Sequence, residues 1–309
     1  MTLVCRACGA AYLVVREVPS VIPSSSALAY DLDVEGVQSS YAYQFAPWLI
    51  PGPVERWASV VRPRVKSHDP DPGQMSGMEG VSPSSQGHRN GLDEALDTLF
   101  STTGLAEEFY QRITSICSQV LHPGGAALDV GCGLGRMTLE MARCGAGVAI
   151  GVDVSLRLTH EAARLARARA PVDVGLTLAT GKSIAAKLAL GGPIDCDFVT
   201  ANAQWLPFES ESFDLVLALN LVDRVPDPMQ AVKEAARVLK RGGHVLVSDP
   251  YDWQERHTPR DRWVDDLSEL VDREALQVVG EWDGLPMVLR RSARQMMIHL
   301  NHSVLYRKR

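Results

Sequence analysis

The chain has 309 residues, a formal net charge of −6 and 46% hydrophobic residues, so it can hold one large domain and a smaller one. The acidic balance argues against a general nucleic-acid-binding surface, no apolar run is long enough to cross a membrane, and the first residues lack the pattern of a secretory signal. The six cysteines are not spaced as a disulfide framework, so we expect a cytoplasmic protein.

The first part of the sequence, residues 1–61, is interpreted as a small separate unit. Cys5 and Cys8 are spaced like half of a zinc site, but structural zinc needs four ligands and the sequence has no second cysteine pair. His68 and His88 lie in a segment that is poorly suited to rigid ligation. The cysteine pair is either a degenerate half of a zinc ribbon or a site completed by a partner chain, and we assign no metal to it.

A linker and a helix follow this unit. Residues 62–91 are rich in proline, serine and glycine, which predicts a disordered connector or a lid beside a cleft. Residues 92–309 are expected to form the main domain. Apolar residues recur at intervals of three to four over residues 92–120, which predicts a helix at its start.

A glycine-rich run follows a short apolar strand over residues 126–130. Gly131, Gly133 and Gly135 stand at alternate positions, and a helical pattern begins at Met137. Backbone N–H groups at the start of such a helix are expected to be exposed and to suit an anionic or hydrogen-bond-accepting ligand. The dinucleotide fingerprint requires a glycine where Arg136 stands, which excludes that cofactor class; the lysine of a phosphate-binding P-loop is also absent.

A second apolar strand ends in Asp153, about 20 residues beyond the glycines, as in a βαβ unit. An acid at that place can accept two hydrogen bonds from a ribose diol. The alternative is a helix N-cap, a role that Ser155 could fill instead. We therefore predict that Asp153 binds a ribose.

Strands and helices alternate along the rest of the chain, which predicts a parallel sheet. We expect a helix over residues 156–170, an inserted hairpin over 174–178 and 184–188, strands over 198–203, 212–219, 244–249 and 303–306, and a helix over 232–239. His299 and His302 lie before the last predicted strand and are interpreted as structural.

The glycine run with its flanking acids resembles the first motif of class I S-adenosylmethionine-dependent methyltransferases (methyltransferase type 11-like), and the resemblance covers residues 92–309. It implies an α/β fold with a doubly wound, mostly parallel seven-stranded sheet, S-adenosylmethionine as methyl donor and S-adenosylhomocysteine as product. By this resemblance the three glycines border the methionine part, Asp129 organises the turn, Asp153 binds the ribose, and Asn202 and Ala203 flank the adenine. The remaining cofactor-binding candidates are Cys132, Val154 and Asn220.

Two further segments resemble the methyltransferase domain of ovothiol synthases. One runs from Asn220 to Pro228 and contains Asp223 and Arg224, another covers residues 249–263, and residues 285–290 match in form. The resemblance implies methylation of an imidazole nitrogen in a thiolated histidine. Since the iron domain of those enzymes is missing, thiohistidine, histidine or another small heteroaromatic compound or amine could be the acceptor.

The chemistry of that reaction selects further candidates. A neutral imidazole needs a hydrogen-bond acceptor that fixes its tautomer and takes its proton, and Asp223 is the candidate; the alternative is a surface ion pair with Arg224. Tyr251 could orient the substrate or face the sulfonium, and the alternative for Tyr251 and Trp253 is packing. Arg224, Trp253 and Arg290 are the predicted substrate contacts.

Three functions are therefore open. The first is methylation of a small molecule, without nucleic-acid or membrane partners. The second is an rRNA or tRNA methyltransferase whose N-terminal unit reads RNA, which the cysteine pair suggests. The third is a non-catalytic protein that binds S-adenosylmethionine. The oligomeric state, including a dimer, stays open.

Overall fold

A computed structural model describes the backbone of residues 2–4, 11–15, 18–19, 49–50, 105–177, 183–292 and 295–309. Side chains are described for 108–173, 188–288 and 297–309. The cysteine pair and the linker over residues 62–91 lie outside these ranges. The predicted boundaries of the N-terminal unit therefore stay predictions.

The elements are, in chain order, β1 Thr2–Val4, β2 Ala11–Val15, β3 Val18–Pro19, β4 Leu49–Ile50, α1 Leu105–Val120, β5 Ala126–Val130, α2 Arg136–Arg143, β6 Val148–Asp153, α3 Leu156–Ala166, β7 Val172–Thr177, β8 Ser183–Leu188, β9 Asp197–Thr200, β10 Phe213–Leu219, α4 Pro228–Val238, β11 Leu239–Asp249, β12 Leu276–Ser292 and β13 Gln295–Lys308. Three short 3-10 helices lie at Val222–Arg224, Arg260–Arg262 and Leu267–Leu270.

Within the described residues, the main sheet has seven strands in the order β9–β6–β5–β10–β11–β13–β12. The pairs β9–β6, β6–β5, β5–β10 and β10–β11 are parallel, whereas β13 runs antiparallel to both of its neighbours. The predicted doubly wound, mostly parallel seven-stranded sheet is confirmed. None of the helices in the described part of the chain is long and apolar enough to cross a bilayer.

Successive strand residues point to opposite sides of the sheet. Both faces of this sheet are covered by packed side chains. On one face, Leu215 and Leu217 pack in a cluster with residues of α1 and α2, including Phe109 and Met141. On the other face, Val216 belongs to a cluster that contains residues of α4 and the third 3-10 helix. Because both faces are covered, the ends of the strands are the part of the sheet that a ligand can reach.

Two helix starts follow from local capping chemistry. The hydroxyl of Ser155 accepts a hydrogen bond from the N–H of Leu158 and caps α3, so the N-cap role falls to Ser155 and not to Asp153. The carboxylate of Asp227 accepts from Gln230 N and caps α4, with Pro228 as the first helical residue. The predicted start of α4 at residue 232 was therefore too late.

The inserted hairpin is confirmed as β7 and β8, which pair antiparallel. It forms a separate three-stranded sheet with β4, in which Leu49 pairs with Leu188. A strand from the N-terminal part of the chain thus pairs with an insertion of the main domain. The strands β1, β2 and β3 form another small antiparallel sheet.

The hairpin of β12 and β13 extends beyond the carboxyl end of β11. Asp249, the last residue of β11, pairs with His302, and β13 begins seven residues earlier, at Gln295. The expectation that His299 and His302 precede the last strand is wrong, because β13 pairs with β12 along nearly its whole length. The extension stands beside the carboxyl edge of the parallel strands.

Candidate functional site

The candidate site lies where the parallel strands β5, β6, β9, β10 and β11 end. The residues at these ends, or one or two positions beyond them, are Gly131, Asp153, Asn202, Asn220 and Asp249. In doubly wound sheets, ligands bind in the crevice outside this edge. The fold thus brings most of the site residues predicted from the sequence to one edge, although they come from separate parts of the chain.

The glycine turn is a left-handed stretch of backbone. The φ angles of Gly131, Gly133 and Gly135 are 78°, 55° and 81°, a region that residues with a Cβ rarely adopt. At Gly135 a Cβ would lie 2.5 Å from Cε1 of Phe198. This third glycine is thus required for close packing between α2 and β9 as well as for its φ angle.

The amides of this turn are bonded within the protein. The N–H groups of Gly131 and Cys132 donate to the carbonyl oxygen of Val152 at 2.8 and 2.9 Å, and that of Gly135 donates to Cys132. Gly133 N donates to Oδ2 of Asp153 at 3.0 Å. The expectation of exposed amides that bind a ligand is therefore wrong for these four groups. These bonds attach the turn to the end of β6. The four N–H groups are therefore not available to a ligand.

Asp129 lies below this turn and is 3% exposed. Its Oδ2 atom accepts hydrogen bonds from both the N–H and the hydroxyl of Thr138, at 3.0 and 2.8 Å. Burial raises the pKa of Asp129 to about 6, while the two bonds from Thr138 act in the opposite direction. The carboxyl group thus links the end of β5 to the first turn of α2.

Asp153 stands at the end of β6 and is half-buried. Oδ1 accepts from Ser155 N at 2.8 Å, and Oδ2 accepts from Gly133 N. Burial raises the pKa of this carboxyl group, against the hydrogen bonds from the backbone. Each carboxylate oxygen can accept a second hydrogen bond, so a carboxylate at this place fits a ribose diol.

The neighbouring cofactor candidates differ in what they can offer. Cys132 is buried and its thiol contacts the carbonyl oxygen of Gly133, so its side chain faces the protein. Val154 is half-buried at the rim. Oδ1 of Asn202 accepts from Gln204 N at 2.9 Å in a local turn, and Ala203 is buried.

Asn220 joins three strands at this edge. It has a φ of 51°, and its N–H donates to Ser248 O at 2.7 Å. Its side-chain oxygen accepts from Nδ2 of Asn301 at 2.7 Å, and the same Nδ2 is 3.1 Å from Oγ of Ser248. Sequence reasoning missed Ser248 and Asn301, since only the pairing of β11 with β13 brings them to Asn220.

Asp223 is completely buried. Neither carboxylate oxygen has a hydrogen-bond partner within the described residues, and Nη2 of Arg224 lies 3.5 Å from Oδ2. The alternative, an ion pair with Arg224, is therefore present, but its carboxylate is buried and not at the surface. Arg224 also binds Asp252 more closely, with Nη2 2.6 Å from its Oδ2 and Nη1 3.1 Å from its carbonyl oxygen. The substrate role of Arg224 stays a prediction.

Asp249 was not singled out from the sequence. It is fully buried at the end of β11. Its Oδ1 accepts from Tyr251 N at 2.8 Å, and its Oδ2 is the acceptor, at 3.4 Å, of the N–H of Asp223. Two buried acids thus meet at the ends of β10 and β11.

Tyr251 follows β11 with a φ of 56°. Its hydroxyl oxygen accepts from Leu267 N at 3.1 Å and lies 2.5 Å from Nδ1 of His302. Nε2 of His302 lies 3.0 Å from Oε1 of Glu281. The catalytic role of Tyr251 stays a prediction, and its hydroxyl already has two protein partners.

The other two substrate candidates stand apart from these acids. Trp253 stacks on Trp263 with ring centroids 6.4 Å apart, and its Nε1 donates to Val264 O, which is the contact pattern of a packed loop. The backbone of Arg290 pairs with Met296 in the β12–β13 hairpin, and its side chain lies outside the described residues. Their substrate roles stay predictions.

The acids at this edge do not form a metal centre. In the part of the chain with described side chains, no group of three or more His, Cys, Asp or Glu residues could hold a metal ion. Cys5 and Cys8 lie outside that part.

With this geometry in place, the chain was compared with known proteins. Residues 128–247 match the family model described as "Methyltransferase domain". This stretch is similar to methyltransferase domains. It contains the glycine turn, Asp153, Asn202, Asn220 and Asp223, while Asp249 lies two residues beyond it.

Two curated relatives extend the comparison. The chain is 43% identical over 95 residues to ubiquinone/menaquinone biosynthesis C-methyltransferase UbiE of Agrobacterium fabrum, covering 31% of this chain and 36% of the relative. It is 32% identical over 156 residues to ubiquinone biosynthesis O-methyltransferase of Methylococcus capsulatus, covering 50% of this chain and 54% of the relative. The chain thus spans about half or less of the length of these relatives.

Solved structures resemble it more distantly. Magnesium protoporphyrin IX methyltransferase (ChlM) from Synechocystis PCC 6803 with bound SAM is 13% identical, with a TM-score of 0.43, over 91% of this chain and 99% of that one. The [4+2]-cyclase SpnF is 20% identical, with a TM-score of 0.44, over 64% of this chain and 80% of that one.

Proposed function

We propose that this chain transfers a methyl group from S-adenosylmethionine to a nitrogen of a small imidazole-type molecule. The match of residues 128–247 to the family model described as "Methyltransferase domain" supports the reaction class. The nitrogen acceptor is supported by one observation, the buried carboxylate of Asp223 without a hydrogen-bond donor among the described side chains.

The residues at the carboxyl edge fit the proposed cofactor. Gly131, Gly133 and Gly135 form a left-handed turn without side chains of its own directly after β5, and the half-buried carboxylate of Asp153 can accept from a ribose diol. Asn202 and the edge residues beside it would contact the adenine; the full proposed set adds Asp129, Cys132, Val154, Ala203 and Asn220. S-adenosylmethionine, when bound, supplies an activated methyl group whose bonding electrons stay with sulfur.

Asp223 then has a defined task. A neutral imidazole presents a lone pair on one nitrogen and an N–H on the other. The carboxylate of Asp223 accepts that N–H, which fixes the tautomer and leaves the lone pair free. A buried acceptor that lacks a donor costs free energy, and a ligand N–H would remove that cost. The residues at the carboxyl edge of the sheet would position the methyl acceptor. Positioning is the main requirement when the methyl donor is already activated.

The test is a methyl-acceptor assay with isotopically labelled S-adenosylmethionine, read by mass spectrometry. Histidine, thiohistidine and related amines form the nitrogen series, and catechol is the oxygen control. We expect a labelled methyl group on a ring nitrogen. Labelling of catechol alone, or of no compound in either series, would contradict the proposal. RNA in the same assay tests the RNA-reading alternative suggested by Cys5 and Cys8.

A further inference from the structure

Two buried carboxyl groups lie side by side at the carboxyl edge. Asp223 and Asp249 are both 0% exposed. The N–H of Asp223 donates to Oδ2 of Asp249 at 3.4 Å, so the two acids are in direct contact. Two ionised carboxylates cannot hydrogen-bond, because both are acceptors only.

Among the described side chains, the carboxyl groups around the pair outnumber the cations. Arg224 approaches Asp223 at 3.5 Å, but its shorter contact, 2.6 Å, is with Asp252. One guanidinium therefore serves three carboxyl groups. If all three were ionised, the positive charge of Arg224 would lie closer to Asp252 than to the two buried carboxylates. Buried carboxylates that lie close together normally retain a proton.

We propose that Asp223 and Asp249 hold a single proton between them in the folded protein and together accept the proton that a nitrogen acceptor loses on methylation. The inference rests on the proposed function for its second half. It assigns Asp249 as a positioning residue, because it acts on the acceptor through Asp223. It also explains the orphaned oxygens of Asp223, since the shared proton supplies one hydrogen bond and a ligand N–H supplies another.

The direction of the pKa shifts agrees with this geometry. Burial raises the pKa of Asp223 to about 6, with Arg224 acting against it and Asp252 adding to it. Burial and the charge of Asp223 raise the pKa of Asp249 well above its ordinary value. Among the described residues, the titratable and charged groups that face the pair are Arg224, Tyr251 and Asp252, and His257 and His299 lie next to Asp252.

The proton balance is complete within the site. Before the reaction the pair carries one proton and one negative charge. As the lone pair of one ring nitrogen forms the bond to the methyl carbon, the carbon–sulfur bond breaks and its electrons stay on sulfur. The proton on the other ring nitrogen moves to the free carboxylate of the pair, which then holds two protons and no charge. Release of one proton to solvent restores the starting state. The pair therefore favours a neutral nitrogen compound with an N–H over an acceptor that is already anionic.

Infrared spectroscopy of the ligand-free full chain at neutral pH tests the shared proton directly. We expect the absorption band of a protonated carboxylic acid, lost in D223N and in D249N. Because neither oxygen of Asp223 has a partner in the described structure, D223N removes no observed hydrogen bond and should fold. D214N is the matched control: Asp214 lies at the opposite end of β10, where its bond from Lys240 keeps its pKa low, so the band should remain.

Addition of imidazole as a probe should shift the band in the wild type, and D223N should bind imidazole at least 10-fold more weakly. The proposal is overturned if the wild type lacks the band, or if the band survives in D223N. These readouts are independent of methyl transfer. A protein that shows the band but methylates no acceptor would refute the proposed function and leave the shared proton supported. An active methyltransferase that lacks the band would refute the shared proton and leave the proposed function supported.

Discussion

The hydroxyl oxygen of Tyr251 lies 2.5 Å from Nδ1 of His302, and the other ring nitrogen of His302 lies 3.0 Å from Glu281. The same hydroxyl accepts the N–H of Leu267. One side chain after β11 is thereby bonded to β13 and to the third 3-10 helix, and through His302 to β12. These bonds hold the start of the loop after β11 in place.

We expect Tyr251→Phe to lower the free energy of unfolding by about 1–2 kcal/mol, because it leaves the N–H of Leu267 and a ring nitrogen of His302 without their partner. Urea denaturation measures the loss, and hydrogen exchange at Leu267 should become faster. Tyr306→Phe is the control: the Tyr306 hydroxyl is buried and has no partner among the described residues, so its removal should cost little. Equal losses in both variants would contradict the role assigned to the Tyr251 hydroxyl.

Much of the fold could be predicted from local patterns. The strand, glycine turn and helix around residues 126–143, the inserted hairpin and the strand ending in Asp153 all follow from periodicity and turn residues close in sequence. The length of β13 could not be predicted in this way, because its first half is defined by pairing with β12. The prediction of a short strand over residues 303–306 reflects only its most apolar part.

A site residue could be predicted where its own type and position in the sequence indicate its role. It could not be predicted where its role depends on residues from strands distant in the sequence. Asp153 and Asp223 stand out because acids follow apolar strands. Asp249 and Asn301 become relevant only when β10, β11 and β13 lie side by side. The prediction for the amides of the glycine turn failed for the same reason: three of the four bonded N–H groups have their acceptors, Val152 and Asp153, on the next strand, so groups that look free in the sequence are bonded in the fold.

Gly135→Ala and Gly124→Ala separate backbone strain from packing. Both glycines have a φ of 81°, so each substitution should cost about 1 kcal/mol of strain. A Cβ on Gly135 would also meet Phe198 at 2.5 Å, whereas one on Gly124 would have no described heavy atom within 4 Å. We expect Gly135→Ala to lose about 1–3 kcal/mol more than Gly124→Ala, because overpacking adds to the strain. Similar losses in urea denaturation would show that the φ angle alone requires glycine at residue 135.

Asp223 should make stability depend on pH. Its pKa in the folded state, about 6, lies above the ordinary value of 3.8, so the folded state binds more protons than the unfolded state between these values. The free energy of unfolding should therefore fall as pH rises through this window, by an amount on the order of 2 kcal/mol. D223N removes this titration, and its stability should fall less over the same range.

Urea denaturation of the wild type and D223N across this window gives the difference directly, and it cancels the contributions of Asp129 and Asp153, whose pKa values are also raised. Parallel pH profiles for the two proteins would show that Asp223 has an ordinary pKa. A steeper fall in D223N would reverse the sign that burial predicts.

Asp153→Ala should weaken the binding of S-adenosylmethionine at least 10-fold in isothermal titration calorimetry, because the proposed ribose diol loses its acceptor. The substitution also removes the acceptor of Gly133 N and Ser155 N, so the turn itself could open. Asp153→Asn addresses this point, since its side-chain oxygen can still accept one of these bonds while the second ribose acceptor is lost; we expect an intermediate affinity.

Asp195→Ala is the control, because Asp195 is an exposed acid before β9, and this variant should bind S-adenosylmethionine normally. Unchanged affinity in both Asp153 variants would refute the ribose assignment and with it the placement of the cofactor against β6.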